Sequence, residues 1–117
     1  MANIPPPVPV DVSQVQDGDK YIFQTNSGGS FYTYGKDTPG KTPTCTGACA
    51  EKWIPLYPSN REAKDLGKTW TLVVRDDGAK QWAYKGKPVY TFGFPFEREL
   101  NLPNKDDLGT DWHPLLP

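Results

Sequence analysis

The sequence predicts an all-β domain, a small sandwich or barrel of two pseudo-repeated halves with at most one or two short helices. Three observations lead there. Several segments alternate apolar and polar residues and end in Asp-Gly or Asn-Ser-Gly-Gly turns, the period-two signature of half-buried strands. Stretches with helical spacing are short and few. Two motifs recur in the same order: Tyr32-Thr33-Tyr34-Gly35 returns as Tyr90-Thr91-Phe92-Gly93, and Trp53-Ile54-Pro55-Leu56-Tyr57-Pro58 as Trp112-His113-Pro114-Leu115-Leu116-Pro117. From first Tyr to Trp is 21 residues in one copy and 22 in the other. Matched spacing of two motifs marks an internal duplication.

Taken along the chain, residues 1–18 begin with Pro5, Pro6, Pro7 and Pro9. Proline fixes φ and removes backbone donors, so this part reads as an extended tail of the kind that links a domain to a membrane anchor. The alternation of Val8, Val10 and Val12 lets its end pair as an edge strand. Tyr21-Ile22-Phe23, the turn cluster Asn26-Ser27-Gly28-Gly29 and Phe31-Tyr32-Thr33-Tyr34 form a hairpin pattern. Thr46 to Trp53 allows one or two helical turns, and Ser59 caps a candidate short helix through Ala63 and Leu66. A three-stranded antiparallel meander follows. Thr69 to Arg75 sets Trp70, Leu72 and Val74 on one face, and Asp76-Asp77-Gly78 turns the chain. Lys80 to Lys85 does the same with Trp82 and Tyr84, Gly86 turns again, and Val89 to Phe92 returns. Residues 19–117 thus read as one β domain whose two motif copies cover about 28–58 and 86–117.

Composition narrows the function classes. At 117 residues the chain has room for one modest core. Leu, Ile, Val and Phe make up slightly under a fifth of it, but six Tyr and four Trp add apolar area and the net charge is only -1. The core is therefore expected to be aromatic. With 13 basic and 14 acidic residues there is no positive excess for a phosphate backbone, so nucleic acid is not an expected partner. No stretch approaches the roughly 20 apolar residues of a membrane helix. No nucleophile–base pair, glycosidase carboxylate dyad or phosphate loop can be read from the spacing, so no reaction is identified.

Tyr32-Thr33-Tyr34-Gly35-Lys36-Asp37 fits a Tyr-x-aromatic-x-x-Asp signature. Together with Thr38-Pro39-Gly40-Lys41, Cys45-Thr46-Gly47-Ala48-Cys49, Trp53-Ile54-Pro55-Leu56 and the run Gln81 to Tyr90, it resembles the bacterial secreted-repeat proteins, also described as predicted lipoproteins, over residues 28–117. The resemblance implies an exported envelope protein, periplasmic, secreted or on the cell surface, often lipid-anchored, of uncharacterised role. One departure stands out: the second copy has Pro95 where the signature expects Asp.

Against that background the candidate residues are few. Asp37 opens a turn and is expected to accept backbone N–H bonds. Cys45 and Cys49 are the only cysteines. Export and an even count read as a disulfide, and the short spacing suits the roughly 4.4–6.8 Å between Cα atoms that a bridge needs. The alternative is a periplasmic copper or redox site built from Cys45, Cys49 and His113, the only histidine. Asn104, Asp106, Asp107 and Asp111 crowd one loop but lack calcium-loop spacing. Phe94 and Phe96 fall in a charged loop, either as a binding platform for sugar, peptide or protein, or folded back as a cap. The function expected is a non-enzymatic ligand- or protein-binding module without a cofactor.

Overall fold

The computed structural model describes residues 8–26, 29–60, 62–92, 109 and 111–115. Asp-Gly turns and aromatic alternation produce two antiparallel hairpins, each leading into an aromatic strand. The first pairs β1 (Val12–Asp17) with β2 (Lys20–Thr25), turning at Gly18 with φ 66°. The second pairs β5 (Trp70–Val74) with β6 (Lys80–Tyr84), turning at Gly78. The aromatic strands are β3 (Phe31–Tyr34) and β7 (Lys87–Phe92). Each is followed further along the chain by a short closing strand, β4 (Trp53–Pro55) or β8 (Trp112–Pro114), and one short helix, α1 (Ala48–Lys52), precedes β4. Ordered pairing begins at Val12, inside the Pro-rich segment, with Val12 buried and Val10 exposed.

The main sheet runs β5-β6-β7-β3-β8, with β4 added on β7. The meander expected over residues 69–92 is present. The hairpin expected between Tyr21–Phe23 and Phe31–Tyr34 is not: β2 pairs with β1, and β3 pairs with β7 and β8. Both edges of β3 are thus occupied, and five residues separate β2 from β3 where Lys85-Gly86 alone separates β6 from β7. The helix expected from Ser59 is also absent among the described residues. There Asn60 accepts the N–H of Glu62 through its side chain, Asp65 accepts the N–H of Leu72, and Leu66 bridges to Trp70. Side chains that bond nearby backbone compete with helical bonding in this way.

The sheet separates two cores. One face gathers Val12, Phe31, Leu56, Trp70, Trp82, Tyr84 and Val89 beneath the β1–β2 hairpin. Phe23 reaches down from that hairpin to sit edge-on against Trp70 and Tyr84, at 5.3 and 5.1 Å between ring centres. Asp11 ties the layers further, accepting from the Trp82 indole N–H at 3.1 Å and from the Ser59 N–H. The other face holds Tyr32, Cys45, Trp53, Tyr90, Phe92 and Trp112. Two-sided coverage explains why Gln81, Trp82, Ala83 and Tyr84 are all buried in one strand. In β5, Trp70 lies in the first core with Leu72 packed against it, as alternation expects; Val74, on the same face opposite Lys80 at the strand end, is 54% exposed, while Val73 and Arg75 are buried on the other face.

The duplication is visible in the pairing itself. Tyr32 lies opposite Tyr90. Trp53, Ile54 and Pro55 lie opposite Phe92, Thr91 and Tyr90, while Trp112, His113 and Pro114 lie opposite Tyr34, Thr33 and Tyr32. The next rung repeats too: Leu56 N–H donates to Val89 C=O and Leu115 N–H to Phe31 C=O, both at 2.9 Å. The two copies are related by a pseudo-two-fold axis between Tyr32 and Tyr90, and each closing strand docks on the aromatic strand of the other copy.

Candidate functional site

The motif residues named from the sequence all meet on one face. Trp53 and Trp112 stack at 4.1 Å and 10°. Each sits edge-on to the first Tyr of its own copy, Tyr32–Trp53 at 5.2 Å and Tyr90–Trp112 at 5.0 Å. Each also covers the second aromatic of the other copy: Phe92 lies 5.0 Å from Trp53 and Tyr34 lies 4.3 Å from Trp112. Offset, edge-on and stacked pairs of this kind add to plain area burial. These side chains are spent on holding the halves together.

Asp37 is a hub with its acceptor atoms in use. Oδ1 accepts from the Thr44 N–H at 2.8 Å and the Thr44 hydroxyl at 2.6 Å, and Oδ2 accepts from the Tyr90 hydroxyl at 2.7 Å. It therefore closes the loop after β3 and fastens it to the other copy. Burial, then the hydrogen bond to Asp37 and its negative charge, raise the Tyr90 phenol well above its usual value, against a smaller opposing pull from Arg75. Tyr32, its counterpart, is also raised by burial, against a smaller opposing pull from Ser30.

Sequence reasoning missed the buried polar pair behind Tyr90. Arg75 is 4% exposed and Gln81 fully buried. Arg75 Nη1 donates to Gln81 Oε1 at 2.8 Å, Nη2 donates to the Cys45 carbonyl at 2.6 Å, and Gln81 Nε2 donates to the Val89 carbonyl at 2.8 Å. Nε has no partner among the described residues. A guanidinium buried at the end of a strand leaves no mark in the sequence, since Arg beside a turn is ordinarily solvated.

Cys45 and Cys49 form a disulfide with Cα atoms 5.2 Å apart. Their sulfurs bond each other, and His113 does not join them: among the described residues no three His, Cys, Asp or Glu side chains are grouped to hold a metal ion. The ligand set of the copper alternative is therefore not assembled. His113 stands on the edge strand β8 opposite Thr33, with Nε2 above Gly35. Phe94 and Phe96 lie outside the described residues, as do Asn104, Asp106 and Asp107.

What the fold does create is an open groove of about 280 Å³, lined by Thr33, Lys85, Lys87, His113, Pro114 and Leu115, with Tyr84 behind Lys85. It exists because β8 is an edge strand. Pro55, the counterpart of Pro114, is buried, since Leu56 beside it continues as a rung against β6 and accepts from the Trp82 N–H at 2.9 Å. Pro114 is left exposed. The two lysines carried no motif and gave no signal; only the hairpin turn brings them beside β8.

A model of the family Lipoprotein_15, described as a secreted repeat of unknown function, matches residues 13–57 and 71–93. The two matches begin at the two hairpins, β1–β2 and β5–β6. No curated protein and no solved structure matches the chain. The architecture of hairpin, aromatic strand and exchanged closing strand is thus the form this duplication takes, and the chain belongs to the secreted-repeat family of unknown function.

Proposed function

We propose that this protein is a non-enzymatic ligand-binding module of the bacterial envelope, working in the periplasm or at the cell surface, with the groove beside β8 as its binding site. The carrying observation is the groove itself. It is a place where the two copies differ, and it is lined by the hydrogen-bonding side chains of Thr33, Lys85, Lys87 and His113 together with apolar Pro114 and Leu115. A mixed wall with a few placed polar groups is the usual character of a small-ligand site. The motif residues support the same reading: the aromatics pack against one another and Asp37 is engaged by Thr44 and Tyr90. None of them faces a bound molecule as a free acid or base.

The reading is tested by titrating the isotope-labelled chain with a neutral oligosaccharide, a uronate, a phosphoester and a proline-rich peptide. At least one class is expected to shift the amides of Thr33, Lys85, Lys87 and His113 in a saturable way. Saturation of none of them across the panel removes the groove as a binding site.

A further inference from the structure

The groove carries its own indication of ligand chemistry, which rests on the binding reading above and sharpens it. Lys85 has φ 51°, the one positive value outside glycine among the described residues. With Gly86 at φ 86° it makes the two-residue turn between β6 and β7. Asn-Gly is the sequence that forms such a turn most readily, because Asn tolerates positive φ better than most residues with a Cβ and Gly adopts it freely. The turn geometry alone therefore does not call for lysine. A residue held against its backbone preference persists where its surroundings fix it, and such positions concentrate at functional sites.

The surroundings do fix it. The Lys85 N–H donates to the Thr69 carbonyl at 2.7 Å, and the Gly40 N–H donates to the Gly86 carbonyl at 2.8 Å. A Cβ on Gly86 would come within 3.2 Å of Pro39 Cβ, so the turn is seated against the loop after β3. The Lys85 ammonium lies 5.2 Å over the Tyr84 ring, a cation–π placement that restrains its side chain. Lys87 opens β7 directly after the turn, and His113 lines the same groove. No carboxylate lines the groove, and among the described residues the one ion pair is Lys36 with Asp111. Two lysines with no acidic partner among the described residues therefore line one groove, in a chain whose net charge is -1.

We infer that this groove binds a phosphoryl group carried on an alcohol or sugar, with the Lys85 and Lys87 ammonium groups as its counter-charges and Thr33 and His113 as further donors. Lysine is a compact charge with three rotatable donors and is a recurrent phosphate ligand, able to engage oxygens spread around phosphorus. A phosphomonoester also carries roughly −1.5 to −2 charge, enough to engage both lysines. The ligand can come as a free phosphorylated alcohol or as a phosphodiester-linked envelope polymer; the chemistry that recognises it is shared.

The whole chain is titrated with inorganic phosphate, glycerol phosphate, a poly(glycerol phosphate) chain, glucuronate and glucose, following the amides of Lys85, Gly86, Lys87 and His113. Saturable shifts are expected with the phosphate-bearing probes, at least tenfold tighter than with glucuronate and absent with glucose. The monoester arm and the polymer arm distinguish the two sources. Lys85→Asn is expected to weaken phosphate binding at least tenfold while leaving the melting midpoint level or higher, because Asn suits the turn. Lys87→Gln is expected to weaken binding similarly at an unchanged midpoint. Equal or tighter binding of glucuronate or glucose overturns the phosphoryl assignment and leaves the binding reading standing; no saturation with any of these probes overturns the assignment, and the binding reading falls with it when the proline-rich peptide also fails to saturate. Unchanged phosphate binding in Lys85→Asn also overturns the assignment, since the fold is then intact and the charge irrelevant.

Discussion

The two motif copies share a scaffold and differ in what surrounds it. Common to both are the aromatic strand, the closing Trp-x-Pro-Leu element and the rung that follows it, and each of these lies against the pseudo-two-fold axis. The differences fall away from the axis. The first copy has Asp37, the Cys45–Cys49 disulfide and Ile54; at the equivalent positions the second has Pro95, then Asn104 and Leu108, then His113. The first closing strand runs on into Leu56, which accepts from the Trp82 N–H of β6, and the second is an edge among the described residues and lines a groove. The contrast teaches which positions a duplication must keep. Residues at the axis meet their own counterparts, so a change there is felt by both halves. Residues off the axis are free to specialise.

The largest effect should come from breaking the axis. Trp112→Ala and Trp53→Ala are each expected to cost about 3–5 kcal/mol, a large part of the roughly 5–15 kcal/mol that holds a domain together. Chain ends are usually tolerant of change, so a severe effect at Trp112 is informative. Because the two rings stack, the double variant should lose less than the sum, and denaturant midpoints for the three variants measure that coupling. A small shift at Trp112 beside a large one at Trp53 would mean that the closing strands are not equivalent. Where Phe94 serves as a binding platform and not as a folded-back cap, Phe94→Ala should shift the midpoint far less than Trp112→Ala.

Opening the disulfide tests the asymmetry of the loops. Its ring is short, so the loop-entropy model gives about 2 kcal/mol, and Cys45→Ser with Cys49→Ser should show a loss of that size in a melt. A much larger loss would show that the loop it closes, through the Cys45 carbonyl on Arg75, governs the buried polar pair as well.

The smallest effects separate the two tyrosines. Tyr90→Phe removes the hydroxyl that Asp37 accepts and is expected to cost about 1–2 kcal/mol, more than Tyr32→Phe. The pH dependence sharpens this. The Tyr90 phenol is raised above 10.0 in the folded chain, so the fold favours its protonated form. That contribution is intact below about pH 10 and is lost as pH rises above it toward the folded value. Urea midpoints between pH 9 and 11.5 should fall for the native chain and fall less for Tyr90→Phe. Equal slopes would assign the alkaline loss to another group.

The repeated motifs made much of this legible. Tyr32, Tyr34, Trp53, Tyr90, Phe92 and Trp112 were identifiable as one set because large aromatics at matched spacing have few roles other than packing. The β5–β6–β7 meander was legible from alternation and Asp-Gly turns. The partner of β2 was not: turn residues between Thr25 and Phe31 imply a reversal, but pairing depends on whether the edges of β3 are free, and distant strands had taken both. Alternation placed Val74 on the face of Trp70 and Leu72 but could not show that the strand end opposite Lys80 is left exposed, nor that Val73 and Arg75 are covered on the other face.

By itself, then, the sequence determined the β class, the duplication and the aromatic composition of the core, because these follow from local periodicity and residue type. The tertiary structure alone decided the exchange of closing strands, the burial of Arg75 and the meeting of Lys85 and Lys87 with His113. Each of these depends on which segments come together across long stretches of chain. Charge patterning along the sequence cannot show whether a lysine will face solvent or a groove; only the docking of the Lys85-Gly86 turn against Pro39 and Gly40 settles that.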